Sequence, residues 1–469
     1  MHSFRLMTGM VISGLVAAAA ATTKGPVDPG VRPGTSYAGG PYTTLAPDES
    51  LFFQDGATRF VEIETVTGGP NIGLGPRFNG NQCAQCHAQP NIGGSSPSMN
   101  PMFALATLNG AKNTVPWFEY KDGPIREARF KKNPNGTVDG GVHAIFVITG
   151  RSDAAGCNIA QPNFGAAGNP ITGHGGNSNL SFRIATPLFG LGLVEAIPDS
   201  TILNNIAKDS DSKRAYGIKG HANAEISGVA NRSANDGTIT RFGWKAQNKS
   251  LLIFAGEAYN VEMGITNNLF PQEREETPGC VLNPTPEDAS NFTPGLPPAG
   301  APTPYWPGVP SDIESFANFM RMLAPPTPAP DTDSTKRGRD LFSKVGCALC
   351  HTPTLMTGQQ INSGGSKNPS AALSNQPVHL YSDLLVHNMG KGLADGISQG
   401  GATGDEFRTA PLWGVGQRIF FLHDGRTNDL VQAIYQHKSP HSEASRIVDR
   451  FKKLSVTDQQ DIINFLRGL

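Results

Sequence analysis

Cys83-Ala84-Gln85-Cys86-His87 and Cys347-Ala348-Leu349-Cys350-His351 decide the fold. C-x-x-C-H is the attachment sequence of c-type haem: each thiol adds across a vinyl group of the porphyrin, and the adjacent imidazole reaches the iron. The two-residue gap suits the vinyl separation when the first turn of a helix starts at the motif. A zinc site also uses C-x-x-C pairs, and a thioredoxin-like pair occurs once, after a strand. Neither accounts for an immediate His twice. The two copies predict two covalently attached haem c groups, on Cys83 and Cys86 and on Cys347 and Cys350, with His87 and His351 as proximal iron ligands.

Outward from the motifs the chain reads as a duplication. Asp48 to Glu64 predicts a helix before the first motif, and Asp333 to Val345 one before the second. Asp312 to Leu323 has apolar residues at helical spacing and stops at Pro325-Pro326. Asp458 to Leu469 has the same pattern, and Ser311 and Thr457 are plausible N-caps. Phe182-Arg183-Ile184-Ala185-Thr186-Pro187-Leu188-Phe189-Gly190-Leu191-Gly192 repeats as Phe407-Arg408-Thr409-Ala410-Pro411-Leu412-Trp413-Gly414-Val415-Gly416, and Phe242-Gly243-Trp244-Lys245-Ala246 echoes Leu422 to Thr427 more faintly. The fold class expected is mainly α: two cytochrome c-like haem domains with long loop insertions. Residues 22–324 form the first and 334–469 the second, joined by the Pro-rich linker Ala324 to Asp333. Residues 131–180 and 200–237 read as long loops, and 275–310 as Pro-rich.

Composition agrees with a loop-rich chain. Gly (55) and Pro (37) make up about a fifth of 469 residues, against a usual eighth or so. The net charge of −1 gives no support to nucleic acid as a partner. Arg5 followed by the uncharged stretch Leu6 to Ala21 reads as a signal peptide over residues 1–21, cleaved after Ala19 or Ala21. No Cys follows that would make a lipoprotein, and no later segment reaches about 18 apolar residues. The mature protein is expected to be periplasmic or secreted, with no membrane role after signal removal. In that compartment the remaining pair, Cys157 and Cys280, suggests a disulfide stapling long loops.

With these stretches in view, the sequence resembles the exported di-haem oxidoreductases, peroxidase-like and thiol oxidoreductase-like, related to bacterial di-haem cytochrome c peroxidase, MauG and the rubber oxygenases. The resemblance is carried by Gly75 to Asn79, Phe189 to Asp199, Arg241 to Ala246, Asp383 to Gly390 and Phe407 to Gly425. It implies a low-spin C-terminal haem that takes electrons from a small cytochrome or cupredoxin. The N-terminal haem would keep an open face and reduce hydrogen peroxide. In the peroxidases the distal ligand of the C-terminal haem lies fourteen residues after the His of a Phe-His-Asp/Ser-Gly turn. Here that turn is Leu422-His423-Asp424-Gly425, which implies His437, with His387, Met389 and His423 as competitors. Met is usual at that position, and His would lower the potential.

The resemblance also places a Trp between the haems. Trp244 is the candidate, and Trp117, Trp306 and Trp413 are the alternatives. The helix after Trp244 should overlie the open face, bringing Tyr259 over the iron to hydrogen-bond a bound oxygen species. The acidic residue that moves protons in the peroxidases follows a Leu on this helix, but here Leu251 is followed by Leu252. Glu195 is the first substitute, with Glu257 and Glu262 behind it. His143, His174 and His221 have no spacing that would make them ligands of the N-terminal haem. Some relatives hold a calcium ion between the domains. The alternatives to a peroxidase are a dioxygen-using oxygenase of the rubber-oxygenase type, a non-catalytic di-haem electron carrier, and a thiol oxidoreductase using Cys157 and Cys280.

Overall fold

The computed structural model describes residues 25–133, 135–138, 140–162, 164, 179–224, 239–274, 277–290, 310–359 and 370–469. The expected signal peptide, His174 and Trp306 lie outside them. The described residues form thirteen α-helices and nine short strands, so the chain is mainly helical. The largest sheet is a three-stranded antiparallel one in which Glu127–Phe130 is flanked by Val142–His143 and Leu180–Arg183. No helix among the described residues is long and apolar enough to cross a membrane.

Two helix pairs organise the fold. Pro47–Phe60 carries Pro and two acids in its first turn and Arg59 in its last, complementing the helix dipole. It ends four residues short of the expected Glu64. It packs on Asp312–Met322, whose first turn is closed reciprocally by Ser311 and Glu314. In the second pair Asp333–Val345 is capped by Thr332 and closed by Gly346 at φ 109, where a side chain would be strained. Its partner Val456–Gly468 takes its cap from Ser455, which accepts from the Asp458 N–H. Thr457, the expected cap, lies inside that helix.

The two crossings use the same device. A Cβ on Gly56 would overlap the Ser315 carbonyl oxygen and come within 2.8 Å of the Phe319 Cβ. A Cβ on Gly338 would overlap the Asp461 carbonyl oxygen and come within 2.8 Å of the Phe465 Cβ. The internal repeat is used twice as well. Gly190 (φ 68) and Gly414 (φ 71) turn the chain so that Gly192 and Gly416 abut the carbonyls of Arg321 and Arg467, near the ends of the two closing helices. Trp413 lies over Gly190 in the core, as its alignment with Phe189 suggests.

The apolar interior does not divide at the Pro-rich linker. Leu355, Leu373, Val378, Leu380, Leu384, Leu385 and Trp413 pack into the larger cluster with Phe52, Phe60 and Phe319, while Ile218 joins the second cluster with Phe342 and Phe465. Cys157 and Cys280, both buried, form a disulfide across 123 residues. The stretch 200–237, read as loop, contains most of the helix Asp199–Ala207 and all of Ser210–Tyr216. Their apolar positions are too few for periodicity to show, and docking Ile202 into the core supplies what propensity does not.

Candidate functional site

Each C-x-x-C-H segment folds as one helical turn. Cys83–Cys86 is α-helical after Gln82 in extended conformation, and Cys347–Leu349 is a 3-10 turn after Gly346. In both, the backbone N–H of the His donates to the carbonyl of the first Cys, at 3.2 Å for His87 and 2.9 Å for His351. The turn brings two thiols and an imidazole onto the wall of one cavity. Cys83, Cys86 and His87 line the first cavity. Cys347, Cys350, His351 and His437 line the second.

The imidazoles are oriented alike. His87 Nδ1 bonds the Gly94 carbonyl at 2.9 Å, and His351 Nδ1 bonds the Tyr381 carbonyl at 3.0 Å. His437 Nδ1 bonds the Ala433 carbonyl one helical turn back at 2.7 Å. A carbonyl only accepts, so Nδ1 carries the proton and Nε2 is left as the basic, metal-binding nitrogen. Burial pushes His87 and His351 down to about 4 and lowers His437, so all three are neutral at pH 7. Phe60 lies edge-on to His87 at 6.0 Å, and Phe342 is tilted against His351 at 6.2 Å. Each Phe sits four residues after the glycine at its helix crossing.

The competing ligands separate by their partners. His387 is gripped by Asp383 (2.9 Å) and Glu443 (2.8 Å) on its two nitrogens. Against burial, which lowers it, the neighbouring Cys350 and Asp383 raise it well above the usual imidazole range, so it has no lone pair for a metal. Met389 and His423 line the second cavity. His423 stacks on Phe407 at 4.3 Å and meets Trp244 edge-on at 6.4 Å. His143 stacks on Phe130, and His221 bonds Glu406; neither lines a cavity wall with His87.

Trp244 is the one residue among those described that lines both cavities. Its indole N–H donates to the Ile184 carbonyl at 2.8 Å, and the Ile184 N–H donates to the His423 carbonyl at 2.7 Å. Trp117 bonds Phe164 and stands at neither cavity, and Trp413 is core.

Two expectations on the helix Leu251–Met263 and its surroundings need correction. Glu195 does not line the first cavity. It is fully buried, pairs with Arg321 at 2.8 Å and accepts the Leu251 N–H at 2.9 Å, so it fixes the start of that helix. Tyr259 does line the cavity, but its hydroxyl lies 3.2 Å from Glu64 and 3.0 Å from Asp312, so it is committed to carboxyls and not free to bond a bound oxygen species. The carboxyls that do line the cavity are Glu257, Glu262 and Glu127. Burial and the neighbouring Glu127 push Glu262 up to about 8, and burial raises Glu257, which Asn248 holds. Glu262 is therefore protonated near neutral pH.

Sequence reading missed the arginines. Arg418 lines the second cavity; burial pushes it down to about 10, and its Nε and Nη2 have no hydrogen-bond partner. Arg183 lines the first with its Nε likewise unpartnered. A flat, largely apolar group carrying two carboxylates would satisfy these atoms while its ring fills the apolar walls and two thiols hold its edge. The lining fits haem. Among the described residues the group of donors close enough to share a metal is Cys350, Asp383 and His387. It is unlike the all-oxygen shell of calcium.

Two like cavities, each with two thiols and an imidazole on its wall, share Trp244. The chain belongs to the di-haem oxidoreductases: residues 174–469, well over half of it, match the family described as "Di-haem oxidoreductase, putative peroxidase". That match holds Trp244 and the second motif; the first motif precedes it. No curated protein matches. Among solved structures, a MauG-like protein associated with microbial copper homeostasis is 21% identical over 34% of this chain and 52% of its own, with a TM-score of 0.23. Hydrazine synthase of Kuenenia stuttgartiensis is 19% identical over 34% of this chain and 56% of its own, with a TM-score of 0.21. The chain spans about half the length of each.

Proposed function

We propose that this di-haem oxidoreductase reduces hydrogen peroxide at the first cavity with electrons delivered through the second. The observation that carries the reading is Trp244, whose ring forms a wall of both cavities. Cys83 and Cys86, and Cys347 and Cys350, would attach one haem c each, to a first half of residues 22–324 and a second of 334–469. His87 would hold the first iron from one side. His351 and His437 would both hold the second iron, suiting it to electron transfer. A small cytochrome or cupredoxin would be the donor.

When bound, the first haem supplies the centre at which the O–O bond is reduced. The chain supplies protons: Glu262, protonated near neutral pH, and Glu257, whose carboxyl burial raises, both face the first cavity and replace Glu195 as the acids, since proton transfer needs a group within reach of the leaving oxygen. These acids favour peroxide over the dioxygen alternative, which needs no acid to hold its ligand. The buried Cys157–Cys280 disulfide is no thiol reagent, and it supports an exported, oxidising location.

The test is an optical spectrum of the diferric protein before and after one equivalent of hydrogen peroxide. A rapid Soret shift with new high-valent bands is expected. An unchanged spectrum would sink the peroxide reading and leave the electron carrier or the oxygenase.

A further inference from the structure

Tyr259 is the sole tyrosine, among the described residues, that lines either cavity. Its ring stands in the wall that holds Cys83 and His87, edge-on to Phe316 at 5.1 Å, and it is almost wholly buried. A buried hydroxyl with one ordinary acceptor would be satisfied. This one has two carboxyls, Glu64 Oε1 at 3.2 Å and Asp312 Oδ2 at 3.0 Å, brought from segments nearly two hundred and some fifty residues away in sequence. Such an arrangement is costly: three acidic groups share a largely buried space that reaches solvent only on the Asp312 side, and burial pushes Glu64 up to about 7 and raises Asp312. It has a chemical use that a single acceptor lacks. A phenol that loses an electron becomes a strong acid, and a buried phenol gives up its electron readily only if a base takes the proton at the same moment.

We propose that Tyr259 is a redox-active residue of the first cavity, surrendering an electron to the oxidised centre there and its phenolic proton to the Glu64–Asp312 pair. The proposal rests on the peroxide reading above. The O–H bond of Tyr259 breaks; one electron reduces the oxidising equivalent that peroxide leaves at the first haem, the proton moves to a carboxylate oxygen of the pair, and a neutral tyrosyl radical remains. Hydrogen peroxide is the oxidant. An electron arriving from the donor through the second half, with the proton returned from the carboxyl, restores the phenol.

The surroundings supply the route out. Arg59 Nε lies 3.7 Å from Asp312, and Arg59 Nη1 lies 3.2 Å from Glu62, both at the edge of solvent. A proton on the pair is thus one residue from water. Among the described residues, the tyrosines Tyr42 and Tyr381 lack this pairing. The hydroxyl of Tyr42 has no carboxyl partner, and Tyr381 faces the cationic Arg339, which opposes the loss of an electron.

The experiment uses the full chain loaded with both haems, mixed with one equivalent of hydrogen peroxide and frozen for electron paramagnetic resonance, with the optical spectrum read on the same samples. Protein grown on ring-deuterated tyrosine should show a radical signal whose hyperfine structure collapses relative to unlabelled protein. The signal should vanish in Tyr259→Phe. In the double variant Glu64→Gln with Asp312→Asn, which keeps the phenol but removes its bases, the radical yield should fall at least about tenfold. A signal indifferent to tyrosine deuteration, one that survives Tyr259→Phe, or a yield unmoved in the double variant overturns the proposal. An optical response with no radical overturns it and leaves the peroxide reading standing; no optical response overturns both.

Discussion

The indole N–H of Trp244 is held 2.8 Å from the carbonyl oxygen of Ile184, and Ile184 in turn bonds through its own N–H to the His423 carbonyl. The ring that borders both cavities is therefore tethered to the Ile184 backbone, which the His423 backbone holds in turn. Trp244→Phe should keep an aromatic wall but lose the tether, about 1 kcal/mol of stability. Reduction of the first haem from the second should slow by on the order of tenfold, about 1.4 kcal/mol in the barrier. Stopped-flow reduction with a donor limited to the second haem would show this, and unchanged kinetics would remove Trp244 from the path.

His437 is expected to set the potential of the second haem. Replacing its imidazole with a thioether, His437→Met, should raise that potential by on the order of 0.1 V, because thioether sulfur favours the reduced iron. His437→Ala should change the spin state of that haem and leave the first unaltered. A spectroelectrochemical titration separates the two centres; a second potential indifferent to both variants would assign the ligand elsewhere.

Glu119 should make stability fall with rising pH. It is buried, accepts from the Arg126 N–H at 2.8 Å and from Asn100 at 2.6 Å, and burial pushes it up to about 8. The unfolded chain releases this proton near pH 4.5, whereas the folded chain keeps it to about pH 8. Between those values folding takes up a proton, so the contribution is whole below pH 4.5 and is lost progressively toward pH 8, a few kcal/mol in all. Thermal unfolding of Glu119→Gln against the parent should show a shallower decline across that window.

Gly338→Ala and Gly56→Ala should each destabilise by about 1–3 kcal/mol, since the added carbon meets backbone that cannot yield without parting two helices. Because Phe342 and Phe60 stand one turn further along and touch His351 and His87, each variant should also disturb the spectrum of its own haem. Calorimetry with optical spectra would show whether the two effects travel together.

Removing the disulfide with Cys157→Ala and Cys280→Ala together should cost ~5 kcal/mol, the chain-entropy value for so long a loop. Denaturant unfolding measures it directly.

Much of this site was legible because its chemistry is local in sequence. C-x-x-C-H needs five consecutive residues, and the His423 turn sets the place of His437. Trp244 lies in a repeat echo. A further local signal went unread: Gly56-Ala57-Thr58-Arg59-Phe60 and Gly338-Arg339-Asp340-Leu341-Phe342 share Gly and Phe at one helical turn, the spacing that joins each crossing to its histidine. What sequence could not show is long-range. Glu127 and Glu262 meet across a sheet and a helix, Arg418 has no pattern around it, and the partners of Tyr259 come from two other segments. Glu195 misled because its segment aligns with a cavity-facing repeat, whereas its carboxylate was needed by Arg321.

The larger core draws seven buried residues from beyond the Pro-rich linker, and the smaller one takes Ile218 from before it. The spacing of the two cavities is therefore kept by interdigitated side chains and not by the tether between Ala324 and Asp333. A chain nicked there would stay clasped, its two cavities still sharing the Trp244 wall.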